Sequence, residues 1–173
     1  MDHILPGLAA INNIHPMFVH FPIAFFWGAL AMEGAAIVVH ERFHPVSTWM
    51  LYLGAISAVV TVMTGFHAMN QIAETMGGHE GPNHELIHLH EHWMVSVTTT
   101  AVLLAGYLFW VNKRKVWNAH RWGYMIGLIV LASILTLGAD RGARLVYELG
   151  YGVNPAILKV MPQGAGEEEH HHH

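Results

Sequence analysis

The chain has no cysteine, which excludes disulfides, thiolate ligands, cysteine-held iron–sulfur clusters and covalently attached c-type haem. Any metal or haem iron must therefore be held by histidine, carboxylate, methionine or backbone. Charge is almost as scarce: 12% of residues are Asp, Glu, Lys or Arg and 53% are hydrophobic, against roughly 25% charged in a soluble domain. That balance identifies an integral membrane protein. No basic patch suggests nucleic acid. Neither a glycine-rich phosphate loop nor a Gly-x-Ser-x-Gly elbow occurs, so an electron-transfer or binding protein is favoured over an enzyme. The N-terminus lacks a basic segment and a cleavage site, so no removable signal peptide is expected.

What the chain has is long apolar runs. Residues 3–32, 43–73, 92–112 and 122–139 contain no Asp, Glu, Lys or Arg, and about 20 residues span roughly 30 Å of hydrocarbon. The expected fold is all-α: an integral membrane four-helix antiparallel bundle with helices at 17–39, 47–73, 92–112 and 120–139. Glu33 is the acid inside the first helix. Arg144 and Glu148, four apart, predict a short C-terminal amphipathic segment after Asp140. Residues 1–162 form a single domain, and 163–173 have the character of a linker and histidine tag.

Orientation follows from the loops. The 112–121 connection carries Lys113, Arg114, Lys115 and Arg121, whereas 74–91 carries only Glu74, Glu80, Glu85 and Glu91. The positive-inside rule puts the acidic loop and both termini outside, in a bacterial inner (cytoplasmic) membrane, against the counter-signal of Arg141, Arg144 and Lys159. Gly54 and Ala58, Ala101 and Ala105, and Gly123 and Gly127 each sit four apart, as close helix packing requires; the last pair would also suit a homodimer seam.

Twelve histidines precede the tail, and nine fall at the expected outer edge. Imidazole near lipid is costly unless bonded or ligated, and it is the commonest protein ligand for transition metals. His20, His67, His88 and His92 come from three helices to one level and are the leading axial candidates for the iron of one haem b. His15, before Pro16, fits either a ligand or a helix start. His79 and His90 are expected in a solvated loop. Arg144 is the candidate partner for haem propionates, and Phe18, Phe21, Phe66 and Trp93 either contact the porphyrin or form an interfacial belt.

On the opposite face His40 and His120 could bind a second haem, with snorkelling beside Arg42 and Arg121 as the alternative. His44 lies beside them. Glu33 falls about 20 Å below His20, too deep to ligate there, and suits a proton path or plain solvation. The main alternative to a cytochrome is a divalent-metal protein that binds or transports zinc, copper, nickel or iron at the His/Glu-rich loop, using His84, Glu85 and His88. Those residues spell HExxH in His84-Glu85-Leu86-Ile87-His88, but a metalloprotease would need a catalytic domain for which there is no room. Helices 2 to 4 also lack the midplane polarity of a transporter.

The segment NIHPMFVHFPIAFFWGAL, Thr64-Gly65, the histidine opening helix 3 and the closing LGADRGARLVYELGYGV resemble the uncharacterised four-span membrane proteins catalogued as domain of unknown function 2231. The most specific parts are HPxxVHFPI, carried by His15, Pro16, Val19, His20, Phe21, Pro22 and Ile23, and RLVYExGxGV, from Arg144 to Val153. The resemblance covers nearly the whole chain. It implies the four-span fold and, because members look haem-associated and occur near cytochrome modules, a cytochrome b-like role. The partner would be a quinol or quinone, or an external redox protein. The chain departs from the pattern in its long His/Glu-rich loop 79–92 and at Ala139-Asp140, where a histidine-containing turn is common.

Overall fold

Prolines set where two of the four helices begin. The computed structural model describes residues 14–75 and 84–150, with the backbone alone at 71–75 and 84. A leading turn, His15–Phe18, starts on Pro16 and runs through Val19 into α1, His20–Val38. Pro22, in the first turn of α1, has no N–H to offer the carbonyl of Phe18 four residues back. The Thr61 hydroxyl of α2, His44–Thr75, lies 3.1 Å from that carbonyl and shares its one hydrogen between it and Ser57 O of its own helix, 2.8 Å away. Pro45 likewise stands in the first turn of α2, where a missing N–H costs nothing.

A 3-10 turn, Glu41–Phe43, joins α1 to α2 and is capped by His40, whose Nδ1 accepts the Arg42 N–H at 3.1 Å. The third and fourth helices are α3, His84–Arg114, and α4, Trp117–Tyr147. Their corner is a Schellman turn with lysine where glycine is usual. Lys115 has φ 58°, its N–H donates to Asn112 O at 3.2 Å, and the Val116 N–H donates to Val111 O at 3.3 Å.

All four helices are long and apolar enough to cross a membrane. Around the bundle each packs against two neighbours, so α1 faces α3 across the diagonal and α2 faces α4. Phe26, Leu51, Leu108, Tyr124, Leu128 and Leu131 fill the core, and Ala29, Ala58 and Ala101 let the backbones approach. The outside is apolar as well: Trp27, Ile56, Met63, Leu103, Phe109 and Trp122 are exposed, which is the surface that lipid covers. Gly127 packs on Leu104 of α3, so this half of the small-residue pair is used within the chain.

Two boundaries differ from the sequence expectation by more than four residues. Helix α3 begins at His84 rather than 92, so His88, His90 and His92 are all helical. Helix α4 continues to Tyr147 rather than 139, and the short helix expected after Asp140 is its last two turns. No proline interrupts residues 117–147, and the four glycines there, Gly123, Gly127, Gly138 and Gly142, do not stop a packed helix. His79, the 163–173 tail and the end of the closing motif lie outside the described residues.

Candidate cofactor site at the histidine end of the bundle

The leading turn presents His15 to α2. Its Nδ1 lies 3.1 Å from Thr61 O and 3.2 Å from Thr64 Oγ1. A carbonyl can only accept, and the Thr64 hydroxyl hydrogen is directed to Thr61 O at 2.9 Å. Nδ1 is therefore the donor, and in a neutral imidazole the lone pair sits on Nε2. The ring packs flat against Gly65, where a Cβ would lie 3.0 Å from His15 Cε1.

His90 repeats this arrangement in the other half. Its Nδ1 donates to Gly138 O of α4 at 3.1 Å, and the ring lies on Gly142, where a Cβ would stand 2.7 Å from His90 Cε1. In both cases the acceptor carbonyl is four residues before the glycine on the same helix. Both rings are half-buried. They come from α1 and α3, the diagonal pair. Donation through Nδ1 to a backbone carbonyl is the usual support for an imidazole that ligates through Nε2.

Both rings line a cavity of about 520 Å³ that is bordered by all four helices and open at one side. Its walls are mostly apolar, with Ile23, Ala58, Met94, Val97 and Leu135 among them. Cofactor pockets of this kind run about 300–1,000 Å³.

The other candidates are placed differently. His20 borders the cavity but is exposed, its Nδ1 donating to Pro16 O of its own turn at 2.8 Å. His92 is exposed and donates to His88 O at 2.6 Å. His88 pairs with Glu91 at 2.9 Å, and His67 is exposed on α2. Arg144 pairs with Glu148 at 2.6 Å on the surface of α4 and does not line the cavity. His90, expected in a loop, is the residue that sequence reasoning missed. It lies about 200° around the helix from His88 and His92, so if that stripe faces out, His90 faces in. Gly142, one turn beyond Gly138, was the other available signal.

Among the described residues no three His, Asp or Glu side chains come together to hold a metal ion. Glu85 is exposed, and His88 is engaged with Glu91. At the opposite end His40 caps the 3-10 turn, while Nδ1 of His120 meets the Tyr107 hydroxyl at 2.8 Å. Each is thus engaged with its own local partner.

Residues 11–155, spanning the four helices and both inward histidines, match the family described as predicted membrane protein, DUF2231. The chain belongs to this family. No curated protein and no solved structure matches it. Within this DUF2231 protein, His15 and Gly65 stand in the two segments that carried the family resemblance at its start, HPxxVHFPI and Thr64-Gly65, and Gly142 stands in the closing segment.

Proposed function

We propose that this protein is a membrane b-type cytochrome that holds one haem b between His15 and His90 and transfers electrons with a quinol or an external redox partner. The observation that carries the reading is the matched pair of imidazoles. They come from diagonal helices, each donating Nδ1–H to a neighbouring helix, each seated on a glycine, at one apolar cavity. Two protein ligands suffice for haem, because the macrocycle supplies the other four. A bare zinc ion takes three or four. When bound, the iron supplies one-electron redox chemistry, and ligation by two histidines favours electron transfer over oxygen chemistry.

The chain's own residues fix both rings in one tautomer and surround the cofactor space with hydrocarbon. The acidic 74–91 connection and the absence of Lys and Arg there support an outward-facing position for this end of the bundle, with Arg141, Arg144 and Lys159 as the counter-signal.

The test is the visible spectrum of the protein in detergent before and after dithionite. A Soret band, with α and β bands on reduction, is expected. His15→Ala and His90→Ala each abolish them, while His20→Ala and His92→Ala retain them. A colourless protein with stoichiometric zinc or copper overturns the reading. Loss of colour with His20→Ala but not His90→Ala moves the ligand to His20.

A further inference from the structure

The other end of the bundle, beside the 112–121 connection, holds a fully buried acid. Glu33 is 0% exposed, and its Oε2 lies 2.8 Å from Nδ1 of His44, the first residue of α2. Oε1 is buried with no hydrogen-bond partner. His44 is 16% exposed, so it is the member of the pair that reaches the aqueous edge. Its ring stacks on Trp117 at 3.6 Å and meets the edge of Tyr124 at 5.9 Å, which holds it against the carboxyl.

The contact needs one hydrogen between Nδ1 and Oε2, because two bare lone pairs cannot approach to 2.8 Å. Glu33 Oε1 has no donor of its own, so a charged carboxylate is left half-satisfied in the core, and one further proton on the pair removes that charge. We infer that Glu33 and His44 form a proton-binding site, which takes one proton from water at this face and returns it there through His44.

Loading converts a carboxylate beside a neutral imidazole into a net-neutral pair with one proton shared across the bond. Unloading leaves a carboxylate whose Oε1 has no donor in a water-poor core, which gives the site a restoring force. The groups facing it are His44 from α2 and Tyr124 and Arg121 from α4. The Tyr124 hydroxyl is engaged by Ser47 at 3.0 Å. Arg121 donates to Ala36 O at 2.8 Å, about one turn of α1 from Glu33, and lies 3.6 Å from Glu41. Because the pair lies some 18 residues from His15 along α1 and its leading turn, about 27 Å, it is separate from the cofactor cavity.

Infrared difference spectroscopy tests this on the full chain in detergent, stepping pH across the imidazole range of about 5 to 8 in water and in deuterium oxide. The expected result is a deuterium-sensitive carboxyl C=O band that titrates, vanishes in Glu33→Gln, shifts in Glu33→Asp and is unchanged in Glu41→Gln. In His44→Phe the imidazole that receives the proton is gone, and the band persists to lower proton concentrations. Circular dichroism confirms that each variant retains its helices. A Glu33 band that never titrates, or none at any pH, overturns the proposal.

Discussion

Replacing Gly142 by alanine adds one methyl group 2.7 Å from Cε1 of His90, and ordinary contact begins near 3.4 Å. Either the ring or α4 must retreat by about 0.7 Å. Movement of the ring away from α4 stretches its 3.1 Å bond to Gly138 O beyond hydrogen-bonding range. A half-buried donor and acceptor left unmade cost about 1–3 kcal/mol. Alanine in place of a helical glycine returns about 0.5–1 kcal/mol. The net expectation is a loss of up to about 2.5 kcal/mol in stability, taken from these two ranges, and, under the haem reading, substoichiometric pigment. Gly106 supplies the internal control, because a Cβ there meets nothing within 4 Å. Gly106→Ala should keep the pigment and gain up to about 1 kcal/mol. The assay is the haem-to-protein absorbance ratio together with thermal unfolding followed by circular dichroism in detergent. If Gly142→Ala matches Gly106→Ala on both measurements, the glycine seat for His90 has no role and the ligand assignment loses its main support.

Thr61→Val keeps the shape of α2 but removes a hydroxyl whose one hydrogen is shared between Ser57 O and the Phe18 carbonyl, so thermal unfolding should show a loss of about 0.5–1.5 kcal/mol. Its pigment should survive, because His15 bonds the Thr61 backbone carbonyl, which valine also has. Lys115→Gly removes a Cβ from a left-handed position, φ 58°, and should raise stability by about 1 kcal/mol, whereas Lys115→Ala gives no such gain. Phe26→Ala opens the core and should cost about 3–5 kcal/mol. Phe109→Ala, at a residue 63% exposed, should change the unfolding midpoint little.

The four spans were legible because uncharged runs of bilayer length seldom arise in a chain that folds in water, and the Arg144–Glu148 pair because spacing of four means one helix face. The identity of the inward histidine on α3 was not legible. His88, His90 and His92 differ only in phase, and phase depends on which side of α3 meets α4. That is fixed by partners such as Leu128 and Leu131, far along the sequence. The start of α3 added to the error, because placing it at 92 put His90 in a loop. Glu33 and His44 were each visible, yet their pairing needs the turn at 40–43 to fold one helix end onto the next, and no periodicity reports that.

The geometry at the histidine end also shows a repeat that the sequence conceals. His15 reaches a carbonyl 46 residues on, and His90 one 48 residues on, with a glycine four residues further in each case. The residues around them share no pattern, since one acceptor is Thr61 and the other Gly138. What recurs is a hairpin in which the first helix carries an imidazole and the second fixes its tautomer and makes room for its ring. Each ring is therefore oriented inside its own hairpin, α1 with α2 and α3 with α4. Bringing the two rings to one cavity is left to the docking of one hairpin on the other. Hydrogen bonds within a hairpin set ring orientation and apolar packing between hairpins sets the gap, so substitutions at the α2–α3 and α1–α4 contacts would alter the cavity between the rings without unseating either histidine.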